Sequence, residues 1–189
     1  MVAVEVPGRM AILWIIAILG VFLAWDLVRR DRRLRRGKRR IEEAWEEVER
    51  AFSSWVRALE DFTGTLRRKG YVPVARGELE ELLREIRSAR GPKGLEEALD
   101  RVQDVLHRLY AALPRKGLTE VREAQNELAR CAEELDLVRR RYNELVRVWN
   151  ALIQSFPNTL IAGRRGYKPR ELFGSRFDSD YHDTFPLRI

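Results

Sequence analysis

Val121, Leu128, Leu135, Tyr142, Trp149 and Phe156 recur every seven residues, and Ala124, Cys131, Val138, Leu145 and Leu152 stand three positions after the first five. Residues three, four and seven apart share one side of a helix, so this series writes a single apolar stripe along a long rod. From Gly117, with Thr119 as its N-cap, to Phe156 the spacing predicts a helix of nearly 60 Å. Pro157, which lacks the amide hydrogen a helix needs, stops it.

A second long stripe lies upstream. Ile41, Val48, Trp55 and Phe62 repeat every seven residues, with Ala44, Ala51 and Ala58 three further on and Trp45, Phe52, Leu59 and Leu66 four further on. The spacing predicts a helix over 38–69 that ends at Gly70 and Tyr71-Val72-Pro73. Two shorter amphipathic segments fall between the long ones. "RGELEELLREIRSAR", residues 76–90, carries Leu79, Leu82, Leu83 and Ile86, and a second runs from Leu95 to Leu113, closed by Pro114. "GPKG", residues 91–94, reads as the turn joining them. Both long stripes are wider than a two-stranded seam, and no strand-like alternation of useful length occurs. The expected fold is therefore all-α: an antiparallel, roughly four-helix bundle with two long helices.

The chain opens differently. Met10 to Trp25, "MAILWIIAILGVFLAW", has no charge, and with Asp26-Leu27-Val28 it would rise about 28 Å as a helix, close to the hydrocarbon thickness of a bilayer. A cleaved signal peptide would need a positive leading region, a shorter apolar core and a small-residue cleavage site. Here Arg9 is offset by Glu5 and no A-x-A follows, so 10–28 is expected to be an uncleaved transmembrane helix.

Directly after it, "RRDRRLRRGKRR" holds Arg29, Arg30, Arg32, Arg33, Arg35, Arg36, Lys38, Arg39 and Arg40 against Asp31, a local charge of +8. The whole chain carries +7 and residues 1–28 carry −1, so residues 41–189 are neutral in sum. That distribution argues against nucleic acid as the partner. It also places the basic run, and all that follows, on the cytoplasmic side of a cell membrane, with residues 1–9 outside. These nine cations are the expected lipid-headgroup ligands, each worth about 1 kcal/mol near an anionic leaflet; fixing the orientation of the span would by itself also account for them. Leu34 within the run suggests that the helix continues through it.

The resulting domain plan is a short outer segment (1–9), a span (10–28), a basic juxtamembrane segment (29–40), a cytoplasmic bundle (41–163) and a C-terminal tail (164–189). In the tail, Leu160-Ile161 just before it and Lys168-Pro169 to Phe173 within it could each make one helical turn. Phe173, Phe177, Tyr181 and Phe185 are spaced by fours, yet Gly, Ser and Asp dominate, and disorder is the expectation.

Little in the chain suggests catalysis. His107 and His182 lie far apart, and neither pairs with Cys131 in a metal-like spacing. Nucleophile-elbow, phosphate-loop and dinucleotide-binding patterns are missing. Asp178-Ser-Asp180-Tyr-His182-Asp183 begins like a calcium loop but lacks the glycine at its sixth position and the later glutamate. The lone Cys131 rules out an internal disulfide and reads as a small packed apolar residue. No cofactor is expected.

The asparagines beside the aromatics need separate explanation. Asn143 follows Tyr142 and Asn150 follows Trp149, both at the edge of the apolar stripe. Asparagine is a poor helix former, so two on one edge imply side-chain hydrogen bonds to another segment, with backbone groups of the chain after Pro157 or of a neighbouring helix as the partners. A polar recognition strip for a partner is the alternative. Tyr142, Trp149 and Phe156 are the expected core anchors.

Arg139, Tyr142-Asn143, Val146, Trp149-Asn150, Ile153, Phe156-Pro157, Leu160, Ala162, Gly166 and Phe173 together resemble the signature of the LemA family of membrane-anchored bacterial helical-bundle proteins. Trp149 stands where the family pattern has a second tyrosine, and Gly174 where it has an acid. The resemblance implies an anchored bundle with its N-terminus outside and its C-terminal domain inside, and it brings no catalytic residues. The expected function is that of a non-enzymatic single-pass protein whose bundle is an interaction or scaffolding module for a protein partner or for copies of itself. The alternative is direct binding and organising or bending of anionic membranes through the basic collar and long helices.

Overall fold

A computed structural model describes residues 6–70, 76–112 and 119–174. It contains five helices in the order α1 (Val6–Arg68), α2 (Arg76–Ser88), α3 (Gly91–Ala112), α4 (Thr119–Gln154) and α5 (Asn158–Arg165). There is no strand among the described residues. The all-α helical bundle expected from the two apolar stripes is the fold.

α1 is a single helix of 63 residues, about 95 Å long, that carries the apolar segment, the basic run and the first amphipathic stripe without a break. It is the one helix among the described residues long and apolar enough to cross a membrane, and none of its apolar window is buried within the protein. The Arg and Lys residues of the basic run are good helix formers, which lets the backbone stay helical beyond the apolar segment.

By its internal contacts the chain forms two compact units. One comprises Met1–Arg40 with Val148–Pro169, the other Ile41–Arg147 with Arg170–Ile189. In the second unit α1 and α4 are antiparallel: Lys69 Nζ meets Glu120 at 3.0 Å, and Arg141 Nη1 meets Glu47 at 3.0 Å. The predicted stripes fill this core. Ile41, Val48, Trp55 and Phe62 are buried, as are Val121, Leu128, Leu135 and Tyr142. Leu82 and Ile86 of α2, and Leu95, Val102 and Val105 of α3, bury their apolar sides in the same unit. Surface ion pairs, Arg87 to Glu60 and Arg101 to Glu85, run from α2 to α1 and from α3 to α2.

Three local expectations are corrected. GPKG is not the turn: α3 begins at Gly91, and only residues 89–90 separate it from α2. Pro92 falls in the first helical turn, where its missing amide hydrogen has no intrahelical acceptor to lose. α4 ends at Gln154, before Phe156. Finally, Asn158–Arg165 is a helix in its own right, whereas Lys168 to Phe173 forms no helical turn. α5 ends in a Schellman-type closure: Gly166, at φ +66°, donates to the Gly163 carbonyl, and Tyr167 N–H reaches back to the Ala162 carbonyl at 2.9 Å.

Candidate functional site

The site to which the sequence points is the aromatic–asparagine side of α4 and the chain that returns after α5. In the second unit the heptad register turns Arg139, Tyr142 and Asn143 inward, and four main-chain groups of residues 171–174 meet them. Asn143 Nδ2–H donates to the Phe173 carbonyl at 2.8 Å, while its Oδ1 accepts from the Phe173 N–H at 2.9 Å. One side-chain amide thus satisfies both backbone groups of one residue, as a neighbouring strand would. Tyr142 donates its hydroxyl hydrogen to the Glu171 carbonyl at 3.1 Å. Arg139 donates through Nη1 to the Gly174 carbonyl at 2.8 Å.

Arg139 is only 5 % exposed, and its charge is matched locally. Its Nε and Nη2 both donate to Asp136 Oδ1, at 3.1 and 2.6 Å, and the other Asp136 oxygen takes Arg140 at 2.8 Å. Such a short-range clamp holds the guanidinium in the orientation that the Gly174 carbonyl requires. The Phe173 ring, fully buried, meets Trp45 edge-on with centroids 6.2 Å apart, and Trp45 in turn lies 5.2 Å from Tyr142. These offset and edge contacts suit the aromatic quadrupole. Burial pushes the Tyr142 hydroxyl above its ordinary pKa, so it stays a donor through the neutral range. No polar side-chain atom buried among the described residues lacks a hydrogen-bond partner.

The first unit holds the other half of the motif. Trp149 is buried and donates its indole N–H to the Lys168 carbonyl at 3.2 Å, with the Tyr167 ring tilted against it at 5.4 Å between centroids. Its ring lies over Gly37, where an added Cβ would stand 3.3 Å from Trp149 Cε3. Gly37 is the sole small residue within the basic run, and this close approach is the reason a helix would tolerate it there. Asn150 is half-buried. Asn158, buried at the start of α5, donates to Ser155 Oγ at 2.9 Å.

Phe156 corrects the sequence reading. It was expected as the last core anchor of the stripe, but it is 83 % exposed. The helix has ended two residues earlier, and a residue preceding proline is steered away from helical backbone, so the seven-residue period no longer sets its direction. Pro157 itself is half-buried.

Of the basic collar, Arg29, Arg32, Arg33, Arg35, Arg36, Arg39 and Arg40 are exposed, and Arg30 and Lys38 are half-buried. Arg30 pairs with Asp26 at 2.6 Å, Arg35 with Asp31 at 2.8 Å, and the Arg29 guanidinium lies 5.5 Å from the Trp25 ring centroid. Asp31 also takes a two-pronged grip from Arg165, Nε at 3.0 Å and Nη2 at 2.9 Å. That hydrogen bond, above all, holds the Asp31 carboxyl below its usual range. Sequence reasoning missed this pair because its partners are 134 residues apart and each sits in an unremarkable charged context.

Among the remaining predicted features, His107 is exposed and Cys131 is buried. Burial raises the Cys131 thiol pKa. His182, the Asp178 to Asp183 stretch, and Phe177, Tyr181 and Phe185 lie outside the described residues.

A family model described as the LemA family matches residues 69–182, well over half of the chain. No curated protein and no solved structure matches it.

Proposed function

The chain belongs to the LemA family, and on that premise we propose that it is a non-enzymatic single-pass membrane protein whose cytoplasmic bundle is an interaction or scaffolding module. One observation carries the reading: the family-motif groups of Arg139, Tyr142, Asn143 and Trp149 all hold the returning chain through its backbone carbonyls or amide. Groups so used are engaged with the chain's own backbone, which supports a function carried by the outer surface. That surface is a mixture of Glu and Arg on helices, as in Arg130–Glu127 and Arg101–Glu85, and no group of His, Cys, Asp and Glu that could hold a metal ion occurs among the described residues. The unburied apolar window of α1 supports an anchor, and the basic run beyond it supports an N-terminus outside and a bundle inside. The partner is a protein or a second copy of the chain.

Crosslinking in intact cells, followed by purification of the whole chain, tests this. A reproducible partner or a crosslinked homo-oligomer is the expected result. Recovery of abundant membrane proteins alone, equally with an unrelated anchored control, would count against it.

A second reading is favoured by the seven exposed arginines of the collar: the chain binds and organises anionic bilayers directly. Liposome binding by residues 29–189 should then fall when the nine collar cations are neutralised. Equal binding by both forms would remove that role.

A further inference from the structure

Two large apolar side chains beyond the span stand out of the protein close together in sequence, Phe156 at 83 % exposure and Leu160 at 66 %. Isolated apolar side chains on a surface need no explanation. These two, however, lie in a segment of unusual charge: from Val148 to Pro169 there is no Asp or Glu, while Arg164, Arg165 and Lys168 supply cations. Their height along α1 is fixed as well. Trp149 packs on Gly37, and Arg165 grips Asp31, so between those two points the chain advances along α1 toward the apolar segment. Asp31 lies three residues past Val28, an axial rise of about 4.5 Å. The headgroup region on each side of a bilayer is about 5–7 Å deep, so the Arg165–Asp31 contact that ties the end of α5 to α1 falls at headgroup level in any membrane that α1 crosses, and the α4–α5 corner belongs to the segment so tied.

We propose that this α4–α5 corner, with Phe156 and Leu160 at its tip, seats in the headgroup layer of the membrane spanned by α1. It is a second lipid contact beside the span. An aromatic and a leucine reach the boundary of the acyl chains, while the exposed Arg164 and Lys168 continue the cationic surface of the collar toward lipid phosphates. Arg165, turned to Asp31, positions the corner and is not itself a lipid ligand. The proposal rests on α1 being a span, and the experiment separates the two.

Full-length protein with Cys131→Ala is reconstituted into phosphatidylcholine–phosphatidylglycerol vesicles and carries one environment-sensitive fluorophore on a new cysteine. One form uses Ile18→Cys, within the span. The other uses Gly163→Cys, which shares a helix face with Leu160 and where an added side chain meets nothing within 4 Å. Nitroxide lipids quench from near the headgroup or from deep in the bilayer. The expected result is deep quenching at Ile18, shallow quenching with a blue-shifted emission at Gly163, and loss of the Gly163 signal's quenching and shift in the Phe156→Glu/Leu160→Glu double variant. A water-exposed Gly163 probe with a deeply quenched Ile18 probe would overturn the proposal and leave the span standing. Quenching at Gly163 that survives the double substitution would also overturn it, because Phe156 and Leu160 would not be what seats the corner. An unquenched Ile18 probe would refute the span, and the proposal would fall with it.

Discussion

Replacing Asn143 with alanine removes one side chain and orphans two backbone groups, the N–H and the C=O of Phe173, in a buried place. Each orphaned group costs about 1–3 kcal/mol if it stays dry. The segment has an escape, since it can peel from α4 and hydrate both groups. It would then surrender the burial of the Phe173 ring, worth about 1.5–3 kcal/mol, together with the bonds from Tyr142 and Arg139. The cheaper route sets the observed loss, so Asn143→Ala should weaken docking of residues 170–174 by about 2–3 kcal/mol. At about 1.4 kcal/mol per tenfold change, amide exchange in a peptide covering Phe173 should accelerate by roughly 30- to 140-fold, while exchange in the middle of α4 changes little. Urea unfolding of the intact chain in detergent supplies the energetic check through a double-mutant cycle with Phe173→Ala. If the amide acts by holding that residue, the two losses overlap by about 1 kcal/mol or more. Losses that add within about 0.5 kcal/mol, or unchanged exchange at Phe173, would refute the reasoning.

Phe156→Ala should change urea stability in detergent by less than about 0.5 kcal/mol, while Trp149→Ala should cost about 3–5 kcal/mol; equal losses would show that Phe156 is buried in solution. Gly37→Leu forces a side chain into the Trp149 ring and should destabilise by about 1–3 kcal/mol, visible as a red-shifted indole emission before the main unfolding transition. Cys131, buried with a raised thiol pKa, should resist alkylation in the native protein at mildly alkaline pH and react fully once unfolded; native labelling at the unfolded rate would contradict its packing. Because its partner Arg165 lowers the folded pKa of Asp31, the stability that Asp31 adds is present above the ordinary carboxylate pKa of about 4 and is lost as pH falls through the lower folded value. The stability gap between the native chain and Asp31→Asn, followed by urea titration, should therefore be constant near neutrality and shrink below about pH 4.

Much of the fold was legible because long helices state themselves repeatedly. Ile41 to Phe62 and Val121 to Trp149 each return to one face over several heptads, so an error at one position does not move the stripe. The ends were less legible. Phe156 keeps the interval of its predecessors but not their direction, because the helix beneath the pattern stops at Gln154. Gly91-Pro92 reads as a turn, although proline is equally at home in a first helical turn. α5, eight residues long, is too short to show a period. The candidate site was half legible. Asparagine's poor helix propensity exposed Asn143 as a hydrogen-bonding residue with backbone groups of the chain after Pro157 or of a neighbouring helix as its partners, yet which residue supplies them, Phe173, leaves no mark in residue types. For the same reason the tail from Arg164 to Gly174 looked loose in composition although it is pinned.

That pinning has a consequence for how the segment can vary. Tyr142, Asn143 and Arg139 grasp the main chain at Glu171, Phe173 and Gly174, four bonds within four residues. The helix therefore counts residues where it does not spell them. Swapping Glu171 or Leu172 leaves every one of those bonds available, and a glycine after Phe173 in place of an acid still offers its carbonyl to Arg139. Adding or deleting a single residue between Glu171 and Phe173 shifts the Phe173 and Gly174 groups by one position against the Glu171 carbonyl, so the four bonds cannot all be kept. The segment behaves as a measured length of chain, free in wording and strict in register.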